Sequence, residues 1–166
     1  LNNLIIQLCH ESFGKEGKGQ TYFAHHAPES QHHTNQRFFG GRKNIAGWFL
    51  SSDAPLQDLT TKVPEDAKKF SLKDYTLETL DNISLSAALE AELHGNLENA
   101  KLQNIAAVNQ SIPKRSAGEV GSLIAFWQLF AVYSSVLRGV DPFNQPQVEN
   151  SKKISFAKRL QQKGLL

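Results

Sequence analysis

From Val120 to Leu137 the chain carries no charged side chain. A helix that is apolar on every side has to be enclosed, either by the core of a protein or by a bilayer. Its start is marked by Ser116-Ala117-Gly118-Glu119, with the spacing of a capping box in which the Ser hydroxyl accepts one orphan N–H and the Glu returns to the cap. Gly139 supplies a stop just past its end. The run approaches the length of a membrane span. Ser122, Gln128, Ser134 and Ser135 interrupt it, however, and the rest of the chain is polar. The expectation is a buried core helix and no membrane partner.

Other segments alternate in type around it. Leu1, Leu4, Ile5 and Leu8 share one face of a short helix, by the i, i+3, i+4, i+7 rule. Three glycines in Gly14-Lys15-Glu16-Gly17-Lys18-Gly19 force a turn or loop. Thr21–Ala24 reads as a short β-prone strand. Ser30 to Arg37 suits a helical turn stopped by Gly40-Gly41. Ile45 to Leu50 has the continuous apolar character of a strand buried on both faces. Pro55, Pro64 and scattered charges between Ser51 and Leu80 predict loop with short helices. Leu85, Leu89, Leu93 and Leu97 mark an amphipathic helix. Ile105–Val108 is a second buried strand, closed by Pro113, and Val148–Lys163 a polar helix offering Ile154, Phe156 and Leu160 for packing. Strands alternating with helices predict an α/β fold with a mostly parallel sheet.

At 166 residues the chain suits one domain. Eighteen basic against 16 acidic side chains leave a net charge of +2, not the excess of a nonspecific nucleic-acid binder, so no nucleic-acid partner is expected. Cys9 stands alone, which rules out an internal disulfide and fits a reducing, cytoplasmic location. No basic start followed by an apolar run suggests a secretory leader. The chain opens on Leu1 and contains no methionine, so it is expected to be a piece of a longer protein.

Four features could carry chemistry. The glycine loop, with two lysines among closely spaced N–H groups, suits an anion, although it is neither a Walker A motif nor a dinucleotide fingerprint; alone it reads as a surface turn. His25, His26, His32 and His33 fall within nine residues, but no carboxylate or cysteine stands at ligand spacing, so no metal is expected. Glu11 precedes the glycine loop, where a lone Glu is ordinarily a solvated residue. Gly40-Gly41-Arg42 could clamp a phosphate or simply turn the chain.

Together with the stretch that opens the last helix, these pieces resemble the C-terminal half of phosphoglucose isomerase, closest to the bacterial forms, including those fused to transaldolase. Glu11-Ser12-Phe13-Gly14-Lys15-Glu16-Gly17-Lys18-Gly19 resembles the family's E-S-x-G-K-E-G-K-G signature. Gln31-His32-His33-Thr34-Asn35-Gln36 resembles its ring-opening histidine stretch. Phe143-Asn144-Gln145-Pro146-Gln147-Val148-Glu149 with Lys152 resembles its closing F-D-Q-P-G-V-E-x-x-K. Asn144 replaces the common Asp, and Gln147 the common Gly. The resemblance implies a sugar-isomerase (SIS) domain over residues 1–166, a three-layer α/β/α sandwich around a mostly parallel sheet, belonging to a longer enzyme with two such domains.

For the site, the resemblance implies catalytic roles for Glu11 as the base between C1 and C2, for His32 (rather than His33) in ring opening, and for Lys152. Gln145, Gln36 and Lys15 are placed at the substrate. The family's phosphate-binding loops lie before the Glu motif, so Gly40-Gly41-Arg42 does not inherit their role. The implied partners are a sugar phosphate, the N-terminal half of the same enzyme, and a second copy in a homodimer. Aldose–ketose isomerisation needs a carboxylate to carry a proton between neighbouring carbons, a His near neutrality to open the ring, and a cation near the developing oxyanion. No metal or organic cofactor is required. The rival reading is a non-catalytic sugar-phosphate-binding module of the same fold, which would have no need of the base.

Overall fold

The computed structural model describes residues 1–54 and 57–165. The chain divides into two compact units, one of residues 1–24 with 121–166 and the other of residues 25–120.

In the first unit, α1 (Asn2–Phe13) buries Ile5, Cys9 and Phe13. This stripe lies a little further along the helix than the expected Leu1, Leu4, Ile5 and Leu8, and Leu1 stays exposed. The i, i+4, i+8 spacing puts the three on one line. α4 (Ala117–Arg138), most of which belongs to this unit, buries Leu123, Trp127, Ala131 and Ser135 at the same spacing, together with Ser134. Phe13 of α1 meets Phe130 of α4 edge to face, ring centroids 6.4 Å apart.

Only 28% of the most apolar stretch of α4 is buried, although among the described residues it is the one helix long and apolar enough to cross a membrane. The expectation of an enclosed helix is therefore corrected to one buried stripe, with Leu129, Tyr133, Val136 and Leu137 exposed. The end signals hold in part. Ser116 Oγ accepts the Glu119 N–H at 3.3 Å, half of the capping box. Gly139, at φ 64°, closes the C-terminus as Val140 N–H donates to Ser135 O at 3.1 Å. α5 (Pro146–Gln162) starts with Pro in its first turn and buries no residue, so Ile154 and Phe156 remain exposed instead of packing.

The second unit holds the sheet. β1 (Gly47–Ser52) and β4 (Ala107–Ile112) pair in parallel, Gly47 opposite Ala107 through Ser52 opposite Ile112. Parallel neighbours need a crossover, and α3 (Leu85–Leu102) lies within it. The fold is thus α/β with parallel pairing, as the alternation predicts, and the parallel sheet has two strands among the described residues. α2 (Gln31–Gly40) packs Phe38 against Ala100 of α3 and Ile105, with Phe39, Ile45 and Phe49 around them.

Several expectations are corrected in this unit and at its edges. β1 is half-buried rather than buried on both faces, and its Trp48 is exposed and donates to Gln110 Oε1 at 3.0 Å. Both strands run about two to four residues further than the apolar runs, because the ladder, not hydrophobicity, sets their ends. The leucine face of α3 is only partly covered: Leu85 is 47% and Leu89 40% exposed, Leu93 and Leu97 are half-buried, and the buried positions are Asn96 and the small Ala100. Thr21–Ala24 forms no strand, and the Tyr22 N–H is taken by His10 Nε2 at 2.8 Å. Between Ser51 and Leu80 the structure has a hairpin, β2 (Ser71–Leu72) with β3 (Tyr75–Thr76), then a 3₁₀ turn over Leu77–Leu80. Pro55, part of the loop reading, lies outside the described residues.

Candidate active site

Glu11 sits in the last turn of α1, half-buried, on the side of the helix opposite the stripe formed by Cys9 and Phe13. Both carboxylate oxygens accept amide N–H groups. Gln7 Nε2, one turn earlier, donates to Oε1 at 3.2 Å. Gln145 Nε2, 134 residues away, donates to Oε2 at 2.9 Å. The first and last motifs of the sequence are therefore joined by a side-chain hydrogen bond. A carboxylate held at both oxygens has a fixed orientation and keeps lone pairs free for a proton.

The glycine loop is an ordered structure, not a loose turn. Lys18 N–H donates to Lys15 O at 2.8 Å, and Glu16, Gly17 and Gly19 all adopt positive φ. At Gly19 a Cβ would lie 2.6 Å from Phe13 O and 3.0 Å from Gly14 Cα, so only glycine lets the loop fold back onto the end of α1. Its two lysines reach the segment that leads from α4 to α5. Lys18 Nζ donates to Arg138 O at 2.8 Å. Lys15 is buried, and its Nζ donates to Asp141 O, Asn144 O and, at 3.2 Å, Asn144 Oδ1. Its three N–H groups have three acceptors.

Arg138 completes this end of the unit. Nη1 donates to Ser134 O at 2.9 Å, Nη2 to Gln20 Oε1 at 2.7 Å, and the guanidinium carbon stands 4.6 Å from the Phe13 ring centroid. Beneath it the buried Cys9 thiol contacts the Tyr22 hydroxyl. Burial lifts the thiol from its ordinary 9.0 to about 11, against the pull of the Tyr22 hydrogen bond and Arg138. Burial and then the neighbouring Cys9 lift Tyr22 from 10.0 to about 12. Cys9 is thus an inert core group at neutral pH.

Lys152 lies exposed on α5, ion-paired to Glu149 one turn earlier at 2.7 Å, beside an open depression lined by Val148, Phe156 and Arg159. His32 and Gln36 belong to the second unit. They stand one turn apart on α2, both exposed, around a shallow hollow with Asn35 and Gln103. Asn35 Nδ2 donates to Asn96 Oδ1 at 2.7 Å, fixing that face of α2 on α3. His33 turns to a different side and meets His25 edge-on, ring centroids 5.6 Å apart. Among the described residues no three His, Cys, Asp or Glu side chains gather as a metal site would require.

Sequence reasoning missed Gln7, Asp141 and Arg138 as parts of this arrangement. Gln7 could have been found from its i, i+4 spacing to Glu11. The other two act through contacts more than a hundred residues away in sequence, for which periodicity carries no signal.

No family model matches the chain. Curated proteins named glucose-6-phosphate isomerase from Lacticaseibacillus casei (strain BL23) and Mycoplasmopsis synoviae (strain 53) are 30% and 31% identical to it, over 91% and 90% of its length. A crystal structure of a hypothetical protein from Thermus thermophilus matches 96% of this chain and 38% of its own, with a TM-score of 0.85 at 26% identity. Fold and site together define an α/β protein of the parallel-sheet class, with a carboxylate held by amide groups at a helix end. Over nine-tenths of its own length the chain is similar to the glucose-6-phosphate isomerases, and it spans about a third of the length of those curated relatives.

Proposed function

We propose that this chain carries the C-terminal part of the active site of an enzyme that interconverts glucose 6-phosphate and fructose 6-phosphate. The observation that carries this reading is the Glu11–Gln145 hydrogen bond of 2.9 Å, which joins two separated motifs at one carboxylate. The names of the relatives point the same way.

In this reading His32 gives a proton to the ring oxygen of the cyclic sugar as the bond from C1 to that oxygen breaks, and recovers one from the former hemiacetal O–H, which frees the C1 aldehyde. Glu11 then takes the C2 proton, and the C–H electron pair moves into an enediolate. The same carboxyl returns the proton to C1 while the O2 hydroxyl proton passes to O1, giving the ketose. Lys152 steadies the oxyanion, and Gln145 and Gln36 bind hydroxyl groups. All electrons stay within the substrate, so the reaction calls for no external oxidant or reductant, and this reading assigns no role to a metal or organic cofactor. The phosphate is held by an N-terminal SIS half of the same enzyme, which acts as a cytoplasmic homodimer. Residues 1–166 form its C-terminal SIS domain.

Glu11→Gln in the protein at its full natural length tests this assignment. The amide keeps the shape and loses the basicity. The expected result is a kcat reduced on the order of 10²–10⁴-fold with KM nearly unchanged. Wild-type turnover in that variant would remove the assignment.

A further inference from the structure

We infer that Lys15 is a positioning residue that aims Gln145 at Glu11, rather than a ligand of the substrate. For the catalytic role of Glu11 this rests on the isomerase reading; the clamp itself is visible in the chain. Lys15 is only 5% exposed, and every donor on its Nζ faces an oxygen of the segment just before α5: Asp141 O, Asn144 O and Asn144 Oδ1. A buried amino group with its donors engaged has none left for a phosphate.

The segment it grips is built around the same side chains. Asp141 Oδ1 accepts the Phe143 N–H at 2.9 Å, and Asp141 Oδ2 accepts Asn144 Nδ2 at 2.9 Å. Asn144 thus bridges the two, giving its N–H to the carboxylate and its oxygen to Lys15. A carboxylate at position 144 would have no N–H to give Asp141. The next residue is Gln145, whose amide holds Glu11 Oε2. Glu11 and Lys15 flank the end of α1. Lys15 therefore ties both partners of the Glu11–Gln145 bond to one frame. A loosened frame lets the carboxylate swing, and a displacement of about 1 Å can cost on the order of 100-fold in rate.

The test uses Lys15→Met, Asn144→Ala and their combination in the full-length protein, with Lys15→Arg as the conservative replacement. Two readouts are compared: hydrogen exchange at residues 141–147, and kcat against KM for the sugar phosphate. The expected result is faster exchange in both single variants and a kcat reduced on the order of 100-fold with little change in KM. The double variant should be no worse than Lys15→Met, because both changes break one clamp, and Lys15→Arg should recover part of the rate. Asn144→Ala leaves the buried amino group in place, so it reports even where Lys15→Met fails to fold. A raised KM with unchanged kcat and unchanged exchange would overturn the inference and make Lys15 a substrate ligand. If the wild type lacks isomerase activity while exchange still accelerates in both variants, the clamp stands and the isomerase reading falls.

Discussion

Buried Cys9 and half-buried Tyr22 form a pair whose two protons are held more tightly in the folded chain than in the unfolded one. Burial is the main cause for each, lifting the thiol from 9.0 to about 11 and the phenol from 10.0 to about 12. Between these limits the folded state binds more protons than the unfolded state, so stability falls as pH rises. The contribution is intact below about pH 9 and is lost by about pH 12. Denaturation midpoints followed from about pH 8 to about pH 11 should decline, and more steeply in the wild type than in Tyr22→Phe. Equal slopes would mean that the pair is not coupled to folding. The same burial leaves Cys9 unreactive to iodoacetamide at about pH 8 until the chain unfolds.

The start of α3 shows how an element gains a sharp boundary. Ser84 Oγ accepts the Ala87 N–H at 3.1 Å and donates to Asp58 Oδ2 at 2.6 Å, while Asp58 Oδ1 accepts the Ser86 N–H at 3.2 Å. The Ser84 hydroxyl, followed by the Ser86 N–H, holds Asp58 below its ordinary 3.8. A depressed carboxylate stabilises the fold above its ordinary value, and that stabilisation disappears as pH falls through the folded one. Ser84→Ala should cost about 1 kcal/mol at neutral pH. It should also flatten the acid side of the stability profile, both measured by urea denaturation. An unchanged acid limb would show that the cap does not act through Asp58.

At the scale of the whole molecule, the chain by itself is expected to fold and not to isomerise sugar phosphates. Folding rests on stripes that each unit completes internally: Ile5, Cys9 and Phe13 with Leu123 and Trp127 in one, Phe38, Ala100 and Ile105 in the other. Activity should fail because, in the proposed enzyme, the groups holding the phosphate lie outside these residues. Losing that anchor forfeits the positioning of C2 at Glu11. Circular dichroism with a cooperative melt, alongside an assay coupled to oxidation of glucose 6-phosphate, checks both halves. Robust turnover by the lone chain would contradict the proposal.

The α/β class, the helix ends at Ser116, Gly139 and Pro146, and the glycine turn after Phe13 were all legible in the sequence. Each depends on groups within a few residues of one another: a cap, a missing Cβ, a missing N–H. Which face of a helix is covered is not local. The leucines of α3 look like a core stripe, yet the contact with Phe38 and Ile105 goes to Ala100, because close packing favours the small residue at that position. Thr21–Ala24 had the composition of a strand and became a strap, since the Tyr22 N–H found His10 rather than a neighbouring ladder. Glu11 and Gln145 could each be singled out from the motifs around them. Their hydrogen bond, and the grip of Lys15 on Asp141 and Asn144, were decided only by the fold. Such contacts close loops of more than a hundred residues, and their geometry depends on how α1 and α4 pack. No window of sequence contains that information.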